Sequence, residues 1–245
     1  MVSILCSAQG YVDRETVDSH GPPESTESWK PVPYKTLIDL VIDSLKVKGW
    51  EVAKEKHALS HEGSRYFGTF DIVKKGKNIG RGVEMALGML ASYDQRIANL
   101  LLGGRKVSVC DNLQYTGDLL AMGRNTRRIM ERLPGRVLEA AGKLDQYVDI
   151  QRAEIELLKK RLITIPEAHH QMVLLSKKGV ISWGDINRVS NTFASDTRWG
   201  SSLSLWRLSN SITSVLQPKM DRNGQTYSER TCVLSKHFDD LLRVN

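Results

Sequence analysis

Apolar residues recur along this chain first at helical and then at strand spacing. Leu37, Leu40, Val41 and Leu45 fall on one face of a helix predicted from about Pro33 to Lys48, with Gly49 placed to take a left-handed C-terminal cap. Trp50 to Leu59 and Arg65 to Val73 read as two strands joined by a turn at His61-Glu62-Gly63. Tyr66, Gly68, Phe70 and Ile72 share one face of the second strand, and Arg65, Phe67, Thr69, Asp71 and Val73 the other. Val83 to Leu90 and Arg96 to Leu102 suggest a further pair around Ser92-Tyr93-Asp94. Gly103 and Gly104 then precede a strand expected at Lys106 to Cys110. Asp111-Asn112 follows as a turn signal, and a short strand, Leu113 to Thr116, runs into Gly117-Asp118. Ahead of all this, Met1 to Pro31 reads as loosely structured, with the linker-like run HGPPESTE at His20 to Glu27.

From Arg124 the pattern is helical. A long helix is expected after Pro134 to about Leu162, which at ~1.5 Å per residue would reach roughly 40 Å. Thr164-Ile-Pro-Glu167 matches a capping box with an early proline, opening a helix that ends at Lys178-Gly179. Ser182-Trp-Gly-Asp185 opens another by the same logic. Two more helices are expected near Ser201 to Leu216 and Tyr227 to Val244. The class predicted is α+β: an N-terminal helix and a mostly antiparallel sheet, then a long helix and a C-terminal helical bundle. The corresponding division is residues 1–32, flexible; 33–123, sheet core; and 124–245, helical.

Composition narrows the picture modestly. Apolar residues make up 40% and charged residues 26% of 245, an ordinary globular balance. No apolar run approaches the roughly 18 residues that cross a bilayer, so no membrane partner is expected. The start, MVSILCSAQG, has no basic region of the secretory kind. The three cysteines, Cys6, Cys110 and Cys232, show no paired spacing, which fits a reducing, cytoplasmic setting. A net charge of +7 favours polyanionic partners without requiring them.

Several pieces, in order, resemble the phage/plasmid-like proteins of domain of unknown function 932. The best defined is VSVCDNLQYTGD, with Cys110, Asp111, Asn112, Gly117 and Asp118. Others are the basic run Arg124-Asn125-Thr126-Arg127, Pro166-Glu-Ala-His169, Val180-Ile-Ser-Trp183, and a late helix carrying Trp206, Asn210, Thr213 and Leu216. Where that family has Arg-Asn-Ser-His-Asp at a tight turn, this chain has Leu90-Ala91-Ser92-Tyr93-Asp94, retaining only Ser92 and Asp94. The resemblance implies a fold and a mobile-element setting in a bacterial host cell, not an activity.

Candidate chemistry is sparse. No HExxH, GxSxG, Walker or GxGxxG pattern occurs, and neither a cofactor, a metal nor a catalytic residue is expected. Asp94, Asp111 and Asp118 could meet at a sheet edge to hold a divalent cation, but each sits at a turn, where an Asp is explained by bonding to its own backbone. Cys110 with His57 or His169 is a weaker nucleophile–base pairing, and His169-His170 suggests one ring in and one out. The arginines Arg124, Arg127, Arg128, Arg132 and Arg136 stand out, because several planar guanidinium forks along one face suit phosphate oxygens. Lys74, Lys75, Lys77 and Arg81 would form an opposite wall, and Tyr66, Phe67, Tyr93 and Tyr115 would stack on splayed bases.

The expected function is therefore nucleic-acid binding in phage or plasmid recombination or replication. It would favour single-stranded DNA, with single-strand annealing by a homo-oligomer and no covalent catalysis. The alternative is a non-enzymatic interaction protein that targets a host or defence factor.

Overall fold

A computed structural model of the chain describes residues 11–80, 82–107, 112–116, 121–220 and 224–243. Its architecture is α+β, with helices on both sides of an antiparallel sheet. The chain opens with a short helix, α1 (Arg14–Ser19), capped by Asp13, whose carboxylate accepts from the Thr16 N–H. This corrects the expectation of a loose N-terminal segment. Val17 is fully buried, Val12 bridges to His57, and Arg14 reaches Asp18 and Asp39. Among the described residues of that segment, Gly21 to Ser28 is the stretch exposed throughout, as its composition suggests; residues 1–10 lie outside the described residues.

Helix α2 (Tyr34–Val47) follows, burying Leu37, Ile38, Val41 and Leu45 as its periodicity requires, and Gly49 ends it at φ +76°. Strands β1 (Glu51–Ser60) and β2 (Arg65–Val73) pair through a turn in which His61, Glu62 and Gly63 all have positive φ. Strand β3 (Val83–Ser92) continues the meander, and β4 (Asn99–Val107), β5 (Asn112–Tyr115) and β6 (Ala121–Gly123) complete it. The order is β1-β2-β3-β4-β5, with β6 paired to the other end of β4.

Two sequence expectations fail at β4. The runs at Arg96 to Leu102 and from Lys106 on are one strand as far as Val107, and Gly103 and Gly104 lie inside it as pairing residues. The reason is the Tyr115 ring, which lies across β3 and β4. A Cβ on Gly104 would stand 3.0 Å from that ring, and one on Gly88 would stand 2.5 Å from it. Here the glycines make room for an aromatic ring rather than a turn.

The long helix is also two helices. Helix α3 (Ile129–Gly142) starts before Pro134, which sits on its exposed side. Helix α4 (Leu144–Lys160) follows at once, with Lys143 serving as C-cap of one and N-cap of the other. The break lets the two rods serve different layers. The apolar side of α3 (Val137, Ala140, Ala141) meets Val41 and Leu45 of α2 over Leu87 and Leu101 of the sheet, whereas α4 packs against the C-terminal helices.

Those helices are α5 (Ile165–Lys177), α6 (Ile186–Ser195, entered through a 3-10 turn at Trp183–Asp185), α7 (Leu205–Met220) and α8 (Gly224–Arg243). Both expected capping boxes form: Thr164 with Glu167, and Ser182 with Asp185. Helices α7 and α8 clamp β5. The Tyr115 N–H donates to Thr231, the Leu113 N–H reaches the Gln217 side-chain oxygen, and the Tyr227 hydroxyl donates to the Leu113 carbonyl. The open edge of a four-residue strand is satisfied in this way.

Candidate nucleic-acid interface

The turn between β6 and α3 presents the arginines, and a buried asparagine holds it. Asn125 is 8% exposed; its Oδ1 accepts from Asn99 at 2.7 Å and its Nδ2 donates to the Ser92 carbonyl. Its own carbonyl accepts from the Lys30 N–H, and the neighbouring Thr126 bridges to Trp29. With Asn125 turned inward, Arg124, Arg127 and Arg128 project to solvent. One turn into α3, Arg132 joins them. Arg127, Arg128, Arg132, Thr126, Ser28 and Glu27 line one open cleft of about 410 Å³. Glu131 draws the Arg128 Nε at 2.7 Å. Arg136 is exposed on α3, its guanidinium close to Gly123.

The opposite wall does not form. The Lys74 ammonium donates to Asp145 on α4 and to the Lys48 carbonyl, and lies 5.7 Å from the Trp50 ring. Lys77 pairs with Asp149 at 2.9 Å, and Arg152 donates to the Asn78 carbonyl. These contacts pin the loop to the start of α4, a full length of α3 from the arginine turn. That is roughly 20 Å, given its 14 residues at ~1.5 Å each. Lys75 is exposed there, and Arg81 lies outside the described residues.

The aromatic residues are interior, which overturns the stacking expectation. Tyr115 and Tyr66 are fully buried, and Tyr93 and Phe67 nearly so. Tyr34 and Tyr93 stack at 4.0 Å between ring centroids, with His20 beyond them, and the Tyr93 hydroxyl accepts from the Tyr34 N–H. The Tyr66 hydroxyl meets His57 Nδ1 at 2.8 Å. Burial pushes both the Tyr93 and the Tyr66 phenol up, Tyr93 to about 12. No base can reach these rings in this fold.

The remaining sequence candidates separate. Asp94 accepts from Arg65 at 2.6 Å and from the Arg96 N–H, and although burial works against ionisation, these bonds hold its carboxyl below the usual range. Ser92 closes the same turn by bonding both the N–H and the carbonyl of Ile97. Asp94 thus bonds its own turn as its position suggested, and pairs with Arg65 besides. Cys110, Asp111, Gly117 and Asp118 lie outside the described residues. His169 and His170 are both exposed, not one in and one out, and His169 bonds Ser190 at 2.7 Å.

Two motif pieces 98 positions apart do meet. The Asn112 side chain donates to the Asn210 carbonyl at 3.1 Å, and the Asn210 side chain donates to the Trp206 carbonyl. All three are buried, so their role is to dock β5 on α7.

Sequence reasoning missed a second polar centre under α4 and α8. Arg105, 1% exposed, is held by Gln114 on β5 and Gln151 on α4. Its Nη1 stands 3.6 Å from Glu154, and its guanidinium lies 5.6 Å from the Trp206 ring. Asp239 on α8 adjoins Glu154. Arg105 stands between Gly104 and Lys106, a setting with no apolar alternation to mark it as buried. Its partners come from three separate elements, β5, α4 and α7, and carry no common spacing.

The chain matches no family model, no curated protein and no solved structure.

Proposed function

We propose that this chain binds nucleic acid through the β6–α3 arginine turn, gripping phosphate oxygens without covalent chemistry, in phage or plasmid recombination or replication. The observation that carries the reading is the convergence of Arg127, Arg128 and Arg132 on one open cleft, with Arg124 and Arg136 exposed on the same stretch. Arginine forks donate two parallel bonds to phosphate oxygens, and several on one rim track a backbone. With the tyrosines inside, the grip is on the backbone alone. Such a grip leaves bases free to pair, as annealing requires. The kinship with domain of unknown function 932 is part of the same proposal. Its support is that the Asn112 and Trp206–Asn210 pieces bond to each other across the fold.

The test is fluorescence anisotropy of labelled single-stranded and duplex oligonucleotides over a salt series. Binding should weaken steeply with salt. Replacing Arg127, Arg128 and Arg132 together by Gln should flatten the log–log slope for single strands by about 2, at ~0.7 per lost phosphate contact. Absence of binding at low salt would overturn the proposal, as would a slope unchanged in the triple variant.

A further inference from the structure

Of the five tryptophans in the chain, Trp50, Trp199 and Trp206 are buried. Trp183 is exposed, but at the entry to α6, where Arg188 pairs with Asp185. Trp29 differs from all of these. It is partly exposed, it packs outside the hydrophobic core, and its backbone is tied to the arginine turn.

The main chain fixes its position. The Thr26 N–H donates to the Trp29 carbonyl at 3.0 Å, and the Trp29 N–H donates to the Thr26 hydroxyl at 3.2 Å. These bonds close a tight bend with Glu27 and Ser28 at its tip. Trp29 also bridges antiparallel to Thr126, and the Lys30 N–H donates to the Asn125 carbonyl at 3.3 Å. Residues directly opposite each other in an antiparallel pair carry their side chains on the same side of the ribbon. Asn125 points inward, so its neighbour Thr126 points outward, to the cleft it lines with Arg127, Arg128 and Arg132. The Trp29 indole stands on that same side. Among the described residues it makes no hydrogen bond and no ring contact. A large flat ring is thus held in place beside guanidinium groups, with nothing covering it. In a single strand, every phosphate that such groups grip is one sugar away from an unpaired base.

We propose that Trp29 stacks on one unpaired base of a strand whose phosphates lie on Arg127, Arg128 and Arg132. The inference rests on the arginine reading above and adds one base contact to that backbone grip. It makes the substrate single-stranded, because in a duplex each base is already covered on both faces by its neighbours. Stacking uses the π face that every base has, so no sequence is read. Bases on either side of the stacked one stay free to pair.

The experiment measures fluorescence anisotropy of the full chain with a labelled oligothymidylate, an abasic strand of the same length and a duplex. The unaltered chain should bind oligothymidylate at least about fivefold more tightly than the abasic strand, the low end of what one stacked base contributes. Trp29→Ala should remove that preference. It should leave affinity for the abasic strand and the duplex within about twofold, and the salt slope unchanged, because the phosphate contacts remain. Trp29→Phe should keep most of the preference, since the smaller ring still stacks. Oligothymidylate should also quench tryptophan emission in the unaltered chain and not in Trp29→Phe. If Trp29→Ala does not fold, as judged by circular dichroism, the emission and the comparison of the two strands decide the matter. Equal binding of the two strands by the unaltered chain, or a preference that survives Trp29→Ala, would overturn the inference. A steep salt slope that depends on the arginines would then still stand. No binding of any probe at low salt would overturn both.

Discussion

His237 illustrates how one side chain ties stability to pH. It is 4% exposed, takes a hydrogen bond from the Lys178 ammonium at Nδ1, and bonds the Gln171 side-chain oxygen through Nε2. Burial, with the Lys178 charge second, pushes it down to about 4. In the unfolded chain the same ring titrates near ~6.5. The unfolded state therefore binds the extra proton between these values. The stability this ring confers is present in full above the unfolded value and is lost as pH falls towards the folded one. Melting temperature should drop between pH 7 and pH 4.5, and the drop should be smaller in His237→Gln, even though that variant starts lower at pH 7. An equal drop in both proteins would show that other groups carry the acid sensitivity.

Among the elements, the sheet depends on two glycines as much as on its apolar residues. Gly88 and Gly104 let the Tyr115 ring lie flat over β3 and β4, where it also meets Phe67 edge-on. A methyl at Gly88 would fall within 2.6 Å of two ring carbons of a tyrosine that is itself fully buried. The ring cannot move without disturbing β5 and its clamp. Gly88→Ala should cost about 1–3 kcal/mol in urea unfolding, the usual range for overpacking. A midpoint within error of the parent would show that β5 yields more easily than its bonds to α7 and α8 suggest.

For the molecule as a whole, α3 separates two basic regions that the sequence suggested as facing walls of one groove. The lysine loop spends its charge on Asp145 and Asp149, while the arginine turn faces solvent. The paired substitution Lys74→Gln with Lys77→Gln should leave oligonucleotide affinity within about twofold, since these cations neutralise protein carboxylates rather than phosphates. It should lower the melting temperature slightly, because partly exposed ion pairs contribute ~0.2–1 kcal/mol each. A loss of affinity comparable with that of the arginine variant would place the lysine loop on the binding path after all. The described residues contain no helix long and apolar enough to cross a membrane.

Much of the fold is legible in the residues because its causes are local. Leu37, Val41 and Leu45 share a face at any helix of that register. Thr164 and Glu167 cap each other across three residues, and β1 and β2 meet at a turn whose Gly63 takes the positive φ that glycine permits. The exposed arginines belong to the same category, since a run of charge next to a turn has nowhere to go but solvent. Other features depend on partners far along the chain. Tyr93 and Tyr115 could equally have been surface platforms, until Tyr34, Thr231 and the two glycines closed around them. Gly103 and Gly104 look like a break until a ring is laid over one of them. Arg105 stands just ahead of the strand expected at Lys106, yet Gln114, Gln151, Glu154 and Trp206 surround it in the interior. Periodicity and capping report what a segment does with its own neighbours. Which polar group is buried, and beside what, depends on side chains brought together from distant positions, and only the packed chain specifies that.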